Sequence, residues 1–291
     1  MNPYRFITLH DGRKLRVRVA GASRGWPLVH LHGIPGSSAE LGCHEPLLCE
    51  LGIELFAVER PGYGFSDPAE RSCVADWIGD FEAVADALGL GRFGLIGFSG
   101  GGAYALAVAA SLGERIDRVA LLGCPAPFES EELLEGMAPD VSACWRLARS
   151  GASPLAQVLS TVATDPIGLA HALIESLPEG DQRAFESSGA GDDFLRSIAE
   201  GLRQGVGATV AELVELAAPW GVDLAAISAP VDLWHGLCDT RVPAHHAERL
   251  AAALNNGYVF MLPGVGHGGI HERVLFRRVL ERFRGTPPPG G

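Results

Sequence analysis

A chain of 291 residues, 47% apolar and 20% charged, is long enough for one large domain or for a core carrying a smaller insertion, and has the composition of a globular protein with a sizeable interior. Its formal charge of −12 opposes a nucleic-acid surface and docking on anionic lipid. Six cysteines without C-x-x-C spacing, a start without a charged-then-apolar pattern, and apolar stretches far short of the ~20 residues that cross a bilayer predict a reduced, cytoplasmic protein that spans no membrane.

Residues 4–9 and 14–20, divided by Asp11-Gly12, read as a hairpin or two early strands. Short apolar strands are predicted at 27–31 and 53–59, with a helix over 38–51 between them that Gly52 stops. Helical spacing of Trp77, Phe81, Val84 and Leu88 predicts a helix over 76–88. Strands at 92–96 and 119–123 flank a helix over 100–112 that is apolar nearly all round, the pattern of a buried helix. This alternation implies an α/β fold with a mostly parallel sheet covered on both faces.

From 128 to 216 the texture changes to helical patterns broken by Pro and Gly, at 131–134, 141–149, 155–162, 168–177 and 194–204, and the segment reads as an all-helical insertion. Strands resume at 231–235 and 258–262, and an amphipathic helix over 271–283 closes the fold. The core is therefore expected over 1–127 and 217–285, with a disordered Pro/Gly tail over 286–291.

Gly97-Phe98-Ser99-Gly100-Gly101 joins a buried strand to the buried helix, the setting in which G-x-S-x-G forms a nucleophile elbow. A side chain at Gly97 or Gly101 would collide with neighbouring backbone, and the serine has to sit in a strained turn. A serine hydroxyl needs a base, and the base needs an orienting carboxylate. Asp239 ends the loop after one late strand, and His267, in Pro263-Gly264-Val265-Gly266-His267, follows the next, which gives the chain order Ser, acid, His. His32-Gly33-Ile34-Pro35-Gly36 follows the strand at 27–31. Acyl transfer needs two N–H donors on the developing oxyanion. Ile34 and Gly100 are the candidates, since Pro35 has no N–H, and losing one such donor costs about 3–4 kcal/mol.

These segments, with Arg60-Pro61-Gly62-Tyr63-Gly64, together resemble the α/β-hydrolase family over nearly the whole chain outside the insertion. The resemblance implies an eight-stranded, mostly parallel sheet, an insertion after the sixth strand that acts as a helical lid, and Ser99, Asp239 and His267 as a triad. Pro219-Trp220-Gly221-Val222-Asp223 is similar to the lid-to-core return of members near the proline-iminopeptidase-like branch. Those members usually carry a second glycine where Ile34 stands, and a tryptophan where this chain has Gly100.

Blander roles are expected elsewhere. His32 reads as a loop organiser, His30 as a buried bonded residue, Asp232 as a structural carboxylate and rival acid, and His271 as a distant rival base. His235, His245 and His246 lack a ligand set with metal spacing. Glu129, Glu131, Glu132, Asp192 and Asp193 read as a solvated face, and the alternative is a site for a cationic substrate end. No phosphate loop or nucleotide fingerprint is present, so no cofactor is expected. The sequence predicts a serine hydrolase acting on a small ester. An aminopeptidase taking amino-terminal proline and a ligand-binding protein with little turnover are the alternatives.

Overall fold

The computed structural model describes residues 2–128, 130–187 and 189–284; Glu129 and the tail over 286–291 lie outside the described residues. The strands are β1 (Tyr4–Thr8), β2 (Lys14–Gly21), β3 (Trp26–Leu31), β4 (Ile53–Val58), β5 (Phe93–Phe98), β6 (Ile116–Leu122), β7 (Val231–Gly236) and β8 (Gly257–Leu262). They form one eight-stranded sheet in the order β1-β2-β4-β3-β5-β6-β7-β8. The pairs β1/β2 and β2/β4 are antiparallel, and every other neighbouring pair is parallel.

Strands buried on both faces must be apolar at successive positions, and the central ones are. β3 sends Val29 and Leu31 to one face and Leu28 to the other, and β5 likewise divides Phe93 and Leu95 from Ile96 and Phe98. The first face is covered by α2 (Ile78–Ala87), α3 (Gly101–Ser111) and α10 (His245–Ala253). The second is covered by α1 (Glu45–Glu50) and α11 (Arg273–Arg284), the latter through Phe276, Val279, Leu280 and Phe283. Each large aliphatic side chain so buried contributes about 1.5–3 kcal/mol. α3 is buried from Gly101 to Ala109, as its all-round apolar sequence predicts.

From β3 the sheet runs to β4 on one side and to β5 on the other. The topological switch point therefore lies at the carboxyl ends of β3 and β5, where such sheets open a crevice. Between β6 and β7 the described residues hold helices and no strand: a short 3-10 turn at Glu131–Leu134, then α4 (Pro139–Ser150), α5 (Ala152–Val162), α6 (Pro166–Glu175), α7 (Glu179–Ser187), α8 (Ala190–Gly201) and α9 (Gly207–Leu216). Two small apolar clusters, around Leu155 with Val210 and around Ala170 with Ile198, hold this insertion together. Among the described residues no helix is long and apolar enough to cross a membrane.

Some elements differ from expectation. The helix expected over 38–51 is confined to Glu45–Glu50, because Pro46 favours a start there and the preceding turn spends its side chains on the core. In that turn Ser38 Oγ donates to Glu59 and Glu40 accepts from His30. α7, α9 and α10 are unread in the sequence; each is short, and α7 and α10 are polar on average. The last helix begins at Arg273, after a 3-10 turn at His267–His271 that two glycines accommodate.

Candidate active site

Ser99 sits at the end of β5 with φ 50°, a left-handed conformation that costs a non-glycine residue roughly 1–2 kcal/mol. Its N–H donates to Leu122 O at 2.8 Å, so the neighbouring strand β6 fixes the turn. The glycines around it are required by contact. A Cβ on Gly97 would lie 2.5 Å from Gly102 Cα, and one on Gly101 would lie 2.3 Å from Leu31 O. Strand, turn and helix therefore close around the serine and leave its hydroxyl at the crevice.

His267 Nδ1 lies 2.7 Å from Asp239 Oδ2, and its Nε2 lies 3.0 Å from Ser99 Oγ. An ionised carboxylate only accepts, so Nδ1 carries the proton and Nε2 of the neutral ring accepts from the serine hydroxyl. The other oxygen of Asp239 accepts from the N–H groups of Arg241 and Val242, each at 2.9 Å. Burial alone would raise this carboxyl, but His267 and these hydrogen bonds hold it below the ordinary carboxylate range. The ring of Phe98 packs at 5.1 Å from that of His267. Gly123, at φ 58°, makes room for the pair, since a Cβ there would meet His267 Nδ1 at 3.1 Å and Asp239 Oδ2 at 3.4 Å.

The His32–Gly36 loop faces the serine. Among the described residues, neither the Ile34 nor the Gly100 N–H donates to a protein group. The two residues touch: a Cβ on Gly100 would fall 2.4 Å from Ile34 Cδ1. His32 donates from Nδ1 to Gly33 O at 2.8 Å and accepts the Arg60 N–H on Nε2 at 3.3 Å. Burial, and then the Arg60 charge, push its pKa well below the ordinary histidine value, so the ring stays neutral. Below the loop, the Glu40 carboxylate accepts from Gly33 N–H and from His30 Nε2. Arg60 donates to His32 O at 2.6 Å and to Gly33 O at 3.3 Å, while both oxygens of Glu212 on α9 accept from its guanidinium.

The helical insertion holds the site from the other side, through residues that no sequence motif marks. Asp181 on α7 accepts from Gly266 N–H at 3.0 Å and from Gly268 N–H at 2.7 Å, the amides flanking His267. Ser197 Oγ on α8 accepts from Ser37 N–H at 2.9 Å. In the sequence, the only trace of the Asp181 contact is the glycine on each side of His267. A Cβ on Gly266 would lie 2.7 Å from Asp181 Oδ2.

Between insertion and sheet lies a cavity of about 450 Å³ lined by Ser99, His267 and Ile34 and, on the insertion side, mainly by aliphatic residues such as Leu155, Leu159 and Leu213. His271 also lines it, but is boxed in by Phe98, Phe185 and Phe194, and burial pushes its pKa well below the ordinary value. Asp232 is bound to Arg118 and Arg282 on β6 and α11. His235 donates to Val242 O, and His246 donates to Leu133 O while accepting from Ala126 N–H. Among the described residues no group of three or more His, Cys, Asp or Glu is arranged to hold a metal ion. Of the insertion acids singled out in the sequence, Glu131 pairs with Arg146 and Arg149, and Asp193 packs against Gly42; neither lines the cavity, whereas Asp140 does. Burial pushes the Cys43 thiol up to about 12, which disqualifies it as a nucleophile.

Residues 27–274 match the model of the family described as the alpha/beta hydrolase fold. The 2-hydroxy-6-oxononadienedioate/2-hydroxy-6-oxononatrienedioate hydrolase of Cupriavidus pinatubonensis is 24% identical over 97% of this chain and 95% of its own. A proline iminopeptidase of Neisseria gonorrhoeae is 31% identical over 107 residues, 36% of this chain and 34% of its own. Among solved structures, an esterase from Exiguobacterium antarcticum superposes with a TM-score of 0.71 at 23% identity, covering 97% of this chain and 99% of that one, a likeness of fold.

Proposed function

We propose that this chain, which belongs to the alpha/beta hydrolase fold family, is a serine hydrolase that cleaves a small carboxylic ester through an acyl-enzyme on Ser99. The observation that carries the reading is the continuous hydrogen-bonded line from Ser99 Oγ through His267 to Asp239. In this mechanism His267 Nε2 takes the hydroxyl proton as Ser99 Oγ attacks the ester carbonyl. Asp239 holds the ring in the productive tautomer and stabilises the imidazolium. The oxyanion receives the N–H groups of Ile34 and Gly100. The protonated ring then gives its proton to the departing alkoxide, and a water activated by the same ring releases the acid. Residues 128–216 serve as the lid of the cavity, over a core of 1–127 and 217–285. The cavity size suits a small molecule.

A proline-iminopeptidase-like activity needs an anionic site for the substrate amine; Glu131 is paired, Asp193 lies away from the cavity, and Glu40 is occupied by His30 and Gly33 N–H, which leaves Asp140 as the cavity carboxylate such an activity would have to use. Two experiments test the reading. A fluorophosphonate probe should label the wild-type chain and leave Ser99→Ala unlabelled. Short and medium acyl esters should be turned over while prolyl anilides are not. Absence of labelling in folded, monodisperse protein would favour a ligand-binding role and defeat the ester reading. A reversed substrate ratio would favour the peptidase.

A further inference from the structure

We propose that Arg241 is the anion-binding point of the cavity, and that the substrate is an ester carrying a free carboxylate; the inference deepens the ester-hydrolase reading and rests on it. Arg241 lies two residues beyond Asp239, and its side chain lines the same cavity as Ser99 and His267. The backbone around it is fixed. Its own N–H donates to Asp239, and Thr240 O accepts from Ala138 N–H of the insertion at 2.7 Å. Its guanidinium, by contrast, has no hydrogen bond and no carboxylate oxygen within ion-pair distance among the described residues.

The other arginines near the site behave differently. Arg60 is matched by Glu212, and Arg71 by Glu212 and Glu215. A charge withdrawn from water is normally paired, and Arg241 is half-buried against a largely aliphatic wall without a partner among the described residues. The two described carboxylates that act on its charge do not fill the role. Asp239 has both oxygens occupied by His267 and by two backbone amides. Asp140, on the first turn of α4, faces the same cavity but is solvent-exposed and lies beyond ion-pair distance. Burial weakens the charged form of Arg241, and Asp140 is the first group to offset this. Five N–H donors in a planar fork, on a residue that lines the cavity holding the reacting hydroxyl, match a carboxylate in shape and charge.

The carboxylate can belong to the acyl half or to the alcohol half of the ester, and the two are separable. Binding to the Ser99→Ala protein is measured calorimetrically for monomethyl adipate against methyl heptanoate, and for O-butyrylglycolate against propyl butyrate. One anionic ester should bind about tenfold to a hundredfold tighter than its neutral counterpart, and which pair shows the effect identifies the half. Arg241→Met should erase the difference without weakening the neutral ester, and Arg241→Lys should keep part of it. Asp140→Asn, an exposed change that spares the fold, should tighten the anionic ester about two- to fivefold by removing a competing charge.

Equal binding of charged and neutral esters in both pairs overturns the proposal. So does an Arg241→Met variant that weakens both alike, or an Asp140→Asn variant that weakens the anionic ester. Turnover and phosphonate labelling of the wild-type chain are read in parallel. Selective binding without labelling sinks the ester reading and leaves the anion site standing, whereas turnover of neutral esters without charge preference does the reverse.

Discussion

Replacing Asp181 tests whether the helical insertion sets the position of His267. The carboxylate takes two buried amides, Gly266 N–H and Gly268 N–H, and with them fixes the backbone on both sides of the ring. Asp181→Ala leaves both donors unpaired, at about 1–3 kcal/mol each, or about 2–6 kcal/mol if the loop stays put. A loop of two glycines and a histidine instead relieves part of that cost by moving, and a displacement of about 1 Å at the reacting groups costs on the order of 100-fold in rate. The expected result is a kcat lower by about 10- to 100-fold with KM near wild type, accompanied by a modest fall in Tm. Asp181→Asn, whose carbonyl oxygen still accepts one amide, should fall between the two. Steady-state kinetics on an ester that the wild-type enzyme hydrolyses, with thermal unfolding of the same samples, supplies the measurement. A variant that loses stability but keeps kcat within twofold would show that Asp181 only packs the insertion, and the positioning role would be wrong.

Gly123→Ala forces a side chain into a left-handed residue about 3 Å from His267, and should cost roughly 1–2 kcal/mol of stability together with a fall in kcat, read by urea unfolding and ester hydrolysis. Arg60→Gln removes the bidentate partner of buried Glu212 and leaves it Arg71 alone, and urea unfolding should register a loss of about 1–3 kcal/mol. Burial holds both His44 and His246 near a pKa of about 4, so between pH 6.5 and 4 the native state binds fewer protons than the unfolded chain and loses stability on acidification, about 3 kcal/mol for each ring. Glu215 works in the opposite sense: burial raises its carboxyl to about 7, so its contribution declines as pH rises from 4.5 to 7. Stability measured against pH should therefore flatten in His246→Gln and steepen in Glu215→Gln. The unchanged profile in either variant would remove that residue from the account.

Strand ends were legible in the sequence because each parallel strand is a short apolar run that stops at glycine or at a polar residue. His32 and Ser99 directly follow such stops, and Asp239 and His267 lie on the loops after β7 and β8; the last three meet in one hydrogen-bonded line. The supports behind them were not legible. Asp181 lies in a polar helix with a glycine beside it and no motif, and it meets His267 only through backbone amides about 85 residues away. Gly123 is one of 38 glycines, and what sets it apart is the pair of side chains packed over it. Arg60 was legible as part of a loop beside the site, but its counter-charge Glu212 is separated from it by 152 positions, and no local pattern links them.

The two halves of the site rest on different parts of the molecule. The serine turn is fixed by the sheet, since Ser99 N–H is bonded to Leu122 O at the end of β6 and α3 is buried behind it. The other loops are held by the insertion: the His267 loop by Asp181, the Ile34 loop by Ser197 and through Arg60 by Glu212, and the Asp239 loop by Ala138. Because the insertion has only small apolar clusters of its own, it should open at a lower free energy than the sheet. Native-state hydrogen exchange should then show the Ser99 amide protected at the global unfolding free energy, and the Gly266, Gly268 and Ser37 amides exchanging through a lower-energy opening. Asp181→Ala should lower protection at Gly266 and Gly268 while leaving Ser99 close to the new global value. If all four amides exchanged together in wild type and variant alike, insertion and sheet would be one cooperative unit, and the separation of the site into two supports would have no energetic content.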